Sequence, residues 1–262
     1  MPRRDVRSVA ARSSAELTKE WDEIAGHRDQ LINSGRDISY SHILLPSLRG
    51  LVAERLTSGS SLLDVGCGTG TFIAQLAKEF PKLRAVGIDP SPKSIDIAAV
   101  RYADLDNCSF TTTAVEEYWA IRENQAGFDI VIANMLLQNV GSLRPALTSC
   151  SALLNRNGVF VFAIPHPCFW PRYWQYDEEP WFRYDSETWI DAPFRTSLSP
   201  VTRLRTTHTH RSLSAYTNAL IDSGLTLESF LEPMPDAGIE GAYPTAWEYP
   251  RFLLGRCRRD ER

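Results

Sequence analysis

The chain has 262 residues, 43% hydrophobic and 23% charged, with a formal net charge of -4, which excludes collagen-like repetition and extended disorder and disfavours nucleic acid as a partner. No apolar run approaches the roughly 18 to 20 residues that span a bilayer, and the opening MPRRDVRSVAARSS lacks the apolar core of a secretory signal. Five cysteines without paired spacing suit reduced thiols, so a cytoplasmic protein is expected.

Residues 1–13, rich in arginine and serine, read as a solvated, disordered tail. Ser14 to Ser34 then places Leu17, Trp21, Ile24, Leu31 and Ile32 near a 3.6-residue period, and Leu44 to Leu56 reads as a second helix. Together they predict a helical cap over residues 14–58. From Ser61 the pattern alternates: SLLDV, TFIAQLAKEF, RAVGI, SPKSIDIAAVRYA, CSFTTT and FDIVIA are short apolar runs and helical segments in turn. Such alternation predicts a parallel sheet with crossover helices. LRPALTSCSALL reads as a helix stopped by Arg156-Asn157-Gly158, followed by the buried strand VFVFAI. Residues 165–211 break the alternation with prolines and aromatics. SLSAYTNALIDSG then restores a helix, and LTLESFLE and RFLLGRC supply two closing strands. Residues 59–164 are therefore the core, 165–211 an insertion, and 212–262 the C-terminal part of the same α/β core.

The segment LLDVGCGTG carries the most information, because an apolar strand runs into three glycines at alternate positions and then into a helix. Gly66, Gly68 and Gly70 permit positive φ and let the backbone approach a ligand above the strand end. Dinucleotide-binding proteins use G-x-G-x-x-G, but Thr71 stands where their third glycine would fall. The next strand ends in Asp89, where a carboxylate can accept both hydroxyls of an adenosine ribose.

These residues resemble the class I S-adenosylmethionine (SAM) dependent methyltransferase family, in which D-x-G-x-G-x-G follows the first strand and an acid ends the second. The match spans roughly residues 60–165. The resemblance implies a Rossmann-like, doubly wound, seven-stranded and mainly parallel sheet with helices on both faces, its last strand antiparallel. It implies SAM as cofactor and S-adenosylhomocysteine as product. Gly66, Cys67, Gly68 and Gly70 would form the loop under the methionyl part, Asp64 would hold its amino group through water, and Asp89 with Pro90 would border the ribose. Where the family commonly carries an aspartate reading adenine, this chain has Ala114, so backbone near Val115 or the carboxylate of Glu116 would serve. Asn134 and Met135 would border SAM and the transferred methyl group, and Tyr40 is a further candidate contact.

Methyl transfer is an in-line displacement, so the protein must align the acceptor and, for a hydroxyl or acidic carbon, take a proton. His166, His208 and His210 are the candidate bases, all flanking the irregular segment. Ten of the chain's 27 aromatic residues fall between Phe169 and Phe194, which predicts a lid over an apolar cavity. Its six acidic residues balance its six arginines, leaving the sign of the acceptor open. His166-x-Cys168 and His208-x-His210 could be drawn as a zinc site, but histidines lining an acceptor pocket are the preferred reading and no metal is expected. The run from His210 to Pro235 resembles a bacterial small-molecule methyltransferase subgroup. The expected activity is methyl transfer from SAM to O, N or C of a small molecule, with specialised metabolism as a fitting setting, without nucleic acid or membrane. The alternatives are a SAM-binding regulatory protein without catalysis, and an NAD-dependent oxidoreductase.

Overall fold

A computed structural model describes residues 5–122, 125–198 and 202–260. Strand β1 (Arg7–Val9) precedes helix α1 (Ser14–Asn33), which starts where Ser13 and Glu16 cap each other's backbone N–H groups. A π-helical turn, Ser39–Leu44, leads into α2 (Leu45–Val52), and a 3₁₀ turn, Ala53–Arg55, closes the segment. The core then runs β2 (Ser61–Val65), α3 (Thr71–Glu79), β3 (Arg84–Asp89), α4 (Pro92–Arg101), β4 (Cys108–Thr112), α5 (Val115–Ala120), β5 (Phe128–Asn134), α6 (Leu143–Ala152) and β6 (Leu154–Pro165). After it come α7 (Trp170–Trp174), β7 (Thr188–Pro193), β8 (Arg205–His210), α8 (Leu213–Asp222), β9 (Leu225–Leu231), α9 (Ala237–Glu240) and β10 (Phe252–Arg259).

The main sheet has seven strands in the order β4-β3-β2-β5-β6-β10-β9. The pairings among β4, β3, β2, β5 and β6 are parallel, whereas β10 lies antiparallel between β6 and β9. This is the doubly wound, Rossmann-like topology that the resemblance implies, and its parallel strands joined by helices are those of the alternating pattern. The central strands read as nearly continuous apolar runs because helices cover both faces, and Ile130, Val131, Ile132, Val161, Phe162 and Ala163 have no exposed surface. Leu62, Ile130, Ile132 and Val161 pack on one side with α2 and α3, and Leu63, Val131, Phe160 and Phe162 on the other with α6 and α8. Chain order reverses between β2 and β5, and ligands of open α/β sheets bind at the carboxyl ends of strands at such a switch point.

Three local expectations differ from the structure. Residues 7–9 of the expected tail form β1, held in register against β7 and by an Arg7–Asp191 ion pair, while residues 1–4 lie outside the described residues. β6 begins at Leu154 rather than after Gly158, because Leu154 already pairs with Phe128 and an irregularity absorbs the polar Asn155-Arg156-Asn157 turn signal. Residues 165–211 are not wholly irregular: α7 and the antiparallel pair β7–β8, joined by β1, make a second three-stranded sheet. The alternation in TWIDAP and RTTHTH is interrupted by Pro193 and crowded with polar residues, so its period of two is faint in the sequence.

α1 ties the two sheets together. Its Glu20 accepts the N–H and hydroxyl of Thr207 on β8, and its Asp22 accepts the Ser91 hydroxyl and the Lys93 N–H at the start of α4. Asp29 pairs with Arg101 at the other end of α4. Helix α1 and the second sheet are thereby held near the carboxyl ends of β2, β3 and β5.

Candidate functional site

The loop after β2 is built around backbone conformations that other residues resist. Gly66 and Cys67 donate to Ile88 O at 2.8 and 3.0 Å, tying the loop to β3. Gly68 has φ +54° with open space where a Cβ would stand, whereas Gly70 has φ +75° with Phe110 and Ala98 pressed against its missing side chain. Gly68 thus leaves room for a ligand, and Gly70 lets α3 start tightly against β4 and α4. The Cys67 sulfur turns down toward Gly87, and burial pushes its thiol well up.

Asp89 ends β3 half-buried, its two oxygens accepting from Gly68 N at 2.9 Å and Ser91 N at 2.8 Å. Each oxygen keeps a lone pair for a further donor. Burial holds its pKa up against those two hydrogen bonds, with Asp22 adding to the rise. Asp64, 2% exposed on β2, has a buried Oδ1 with no hydrogen-bond partner among the described residues. Burial, then the neighbouring Asp89, pushes its pKa up to about 8. A buried acid with an orphaned oxygen requires a partner or a proton, and a cationic or N–H-bearing ligand supplies the partner.

At the end of β5, Asn134 has a buried, unpartnered Oδ1, and Met135 is held at φ +55°, a conformation that costs a non-glycine residue about 1–2 kcal/mol. Met135 N donates to Ala163 O, and its carbonyl accepts from the side chains of Gln138 and Asn139, so the turn is over-determined. Arg211, 3% exposed, donates to the carbonyls of Leu137, Val140 and Gly141 and fixes the rest of that loop. Neither Gln138, whose Oε1 is also buried without a partner, nor Arg211 carries a signal in the sequence; both depend on a loop path that only the fold defines.

These elements border one cavity of about 1120 Å³. Asp64, Gly66, Cys67, Gly68, Asp89, Pro90, Val115, Glu116, Asn134 and Met135 line its sheet side. Tyr40 lines it from the π-helical turn, where its ring stacks 5.1 Å from the Arg28 guanidinium and its hydroxyl pKa is raised by burial. Arg28, itself paired with Asp37, is a lining cation that the sequence reading did not single out. Gly70 does not line the cavity; it shapes the turn from beneath.

The structure separates the three histidines. His208 lines the cavity from β8 with Nε2 buried and unpartnered, and burial, reinforced by His210, pushes its pKa down to about 4. It is therefore neutral at physiological pH. His210 donates through Nε2 to Tyr184 O at 3.0 Å, and burial lowers its pKa. His166 sits 2.6 Å from Glu232 through Nε2 and accepts Cys168 N–H through Nδ1. All three border a cleft of about 10 Å³, hardly room for one water, and only His208 also reaches the large cavity. Residues 165–211 supply Trp170, Tyr173, Trp174, Trp189 and Phe194 to the cavity wall.

A methyltransferase-domain family model matches residues 63–160, the span that holds the glycine loop, Asp89 and the turn after β5. Trans-aconitate 2-methyltransferase of Paracidovorax citrulli is 27% identical over 79% of this chain and 88% of its own. Malonyl-[acyl-carrier protein] O-methyltransferase of Bacillus cereus is 26% identical over 93% and 89%. An S-adenosylmethionine dependent methyltransferase of Mesorhizobium loti superposes with a TM-score of 0.59 at 25% identity, covering 82% of this chain and 96% of that one. The chain is a class I SAM-dependent methyltransferase. SAM is accordingly its methyl donor and S-adenosylhomocysteine its product. The methyltransferase has no described helix long and apolar enough to cross a membrane.

Proposed function

We propose that this enzyme methylates a small molecule held between the glycine loop and the aromatic lid. The observation that carries the reading is the continuity of the cavity: the same space is bordered by Asp64, Gly68, Asp89 and Asn134 on the sheet and by Trp170, Tyr173, Trp189 and His208 on the lid. Cofactor and acceptor can meet there without leaving protein contact. The residues fit SAM, because an orphaned buried carboxylate at Asp64 suits an ammonium or its bridging water, and Asp89 has lone pairs for ribose hydroxyls. Gly66 and Gly68 cradle the methionyl part above the helix α3 N-terminus, with Cys67 packed below. Pro90, Val115 and Glu116 border the adenosine, and Asn134, Met135 and Tyr40 surround the methyl-bearing end.

When bound, SAM supplies the electrophilic methyl. The chain's own part is alignment: the over-determined Met135 turn and the aromatic walls hold the acceptor and exclude water, which is where proximity gains arise. His208, neutral and unpartnered at Nε2, accepts the proton of an acceptor O–H or N–H. Residues 14–58 act as cap and 165–211 as lid, with 212–262 completing the core. The similarity to a trans-aconitate methyltransferase supports a small acceptor. Calorimetric titration with SAM, S-adenosylhomocysteine and NAD, followed by an acceptor screen, tests the reading. Saturable binding of both adenosyl ligands and turnover of a metabolite are expected; NAD binding in their place refutes the site assignment.

A further inference from the structure

The amino-acid end of SAM carries an ammonium and a carboxylate on one carbon. The glycine loop and Asp64 suit the first of these, but the acids Asp64 and Asp89 repel the second. A cation on the cavity wall has to meet it. Four arginines border the cavity: Arg12, Arg28, Arg195 and Arg251. Arg12 is held by Glu16 and Glu20 of its own segment, at 3.4 and 3.8 Å, and Arg251 donates to the carbonyls of Thr245 and Ala246. Arg195 is exposed beyond the end of β7.

Arg28 of α1 is anchored differently. Its Nη1 pairs with Asp37, whereas Nε and Nη2 have no partner among the described residues. Its side chain is 22% exposed, and none of its nitrogens is sealed in the interior. Nε and Nη2 form the edge of the guanidinium that takes a carboxylate through two parallel hydrogen bonds. The group is also oriented in advance. Asp37 Oδ1 accepts the Tyr40 N–H at 3.1 Å while Oδ2 takes Arg28, so both carboxylate oxygens are engaged. The Tyr40 ring lies under the guanidinium, 5.1 Å from its carbon. One ion pair and one ring face leave the open edge with a fixed plane.

Tyr40 connects this cation to the acid of the cofactor site. Burial raises its hydroxyl pKa, Arg28 opposes the rise, and Asp64 and Asp37 add to it. Arg28 on α1 and Asp64 on β2 are thus both close enough to act on one phenol, and all three residues border the same cavity. An ammonium, or its bridging water, seated at Asp64 leaves the carboxylate of the same carbon on the Tyr40 side. We infer that Arg28 binds the methionyl carboxylate of SAM through Nε and Nη2, with Tyr40 as its platform. The inference rests on the cofactor site proposed above and adds to it a contact from the helical cap. The sheet then reads the ammonium and the cap reads the carboxylate.

The test is calorimetric titration of the full chain with SAM and with decarboxylated SAM, which keeps the sulfonium, the adenosine and the amine. The unmodified chain is expected to bind SAM about tenfold or more tightly than the decarboxylated analogue. Arg28→Gln should bring the two affinities together by weakening SAM alone, and Arg28→Lys, which keeps the charge and loses the fork, should restore part of the preference. Arg28→Gln also strands the Asp37 carboxylate, so the same pair of ligands is measured on Arg28→Gln combined with Asp37→Asn, where the preference should again be lost. Equal binding of both ligands by the unmodified chain, a preference that survives Arg28→Gln, or an equal loss of both ligands in the double variant overturns the inference. The site beneath it fails separately: SAM affinity unchanged in Asp89→Ala would overturn the cofactor assignment, whatever Arg28→Gln does.

Discussion

Alanine at Gly70 and alanine at Gly68 separate the two jobs done by one glycine loop. Both positions have positive φ, +75° and +54°, so either substitution pays the left-handed penalty of about 1–2 kcal/mol, offset by up to about 1 kcal/mol from a stiffer unfolded chain. At Gly70 the new Cβ would stand 2.5 Å from Phe110 Cε1 and 3.1 Å from the Ala98 Cβ, an overpacking that costs about 1–3 kcal/mol more. At Gly68 the Cβ meets nothing within 4 Å. Gly70→Ala is therefore expected to destabilise the unliganded protein by about 1–5 kcal/mol and Gly68→Ala by about 0–2 kcal/mol, the difference being the overpacking at Gly70. Ligand binding should rank them oppositely. Gly68 borders the cavity and Gly70 does not, so Gly68→Ala should weaken SAM at least tenfold, while folded Gly70→Ala should bind within a few-fold of the parent. Urea denaturation gives the first ranking and calorimetry the second. Equal destabilisation, or a weaker SAM effect at Gly68 than at Gly70, would refute the division between ligand clearance and turn formation.

Asp64 has a folded pKa of about 8, above its unfolded value, so it favours folding below about pH 4 and loses that contribution as pH rises toward 8. Asp64→Asn should remove this slope from the difference in urea stability between the two unliganded proteins at pH 6 and pH 8, and should weaken SAM; an unchanged slope would exclude the buried acid as its source. Asp89→Ala leaves the Gly68 and Ser91 N–H groups without their acceptor and should weaken SAM at least tenfold in the same titration. His208→Ala should lower kcat by about 10²-fold or more with SAM affinity unchanged, and because its pKa is about 4 the parent's rate should be flat from pH 5 to 8. A rate controlled by a group titrating near 6.5 would remove His208 from the role. Arg211→Ala strips three loop carbonyls of their donor and should cost about 3–5 kcal/mol in urea, with the Glu187 carboxylate left facing the gap.

The alternation of apolar strands with helices was enough to predict the parallel part of the sheet with its crossover helices, since strands covered on both faces by helices must be apolar throughout, whereas the antiparallel strand followed from the family resemblance. The glycine spacing and Asp89 were legible for a related reason: a tight turn and a strand-end acid are local, so their signal lies within a few residues of one chain segment. The tertiary structure alone decided what depends on distant segments meeting. It placed β1 on the second sheet through Asp191, some 180 residues away in sequence, and it divided three similar histidines into His208, which lines the large cavity, and two whose Nε2 atoms are held by Glu232 and Tyr184. It also separated the charges of residues 165–211, turning Asp191 and Glu187 to Arg205 and Arg211 while Arg195 borders the cavity. Composition counts charges along the chain, whereas an acceptor meets only those that the fold leaves on its side of the wall.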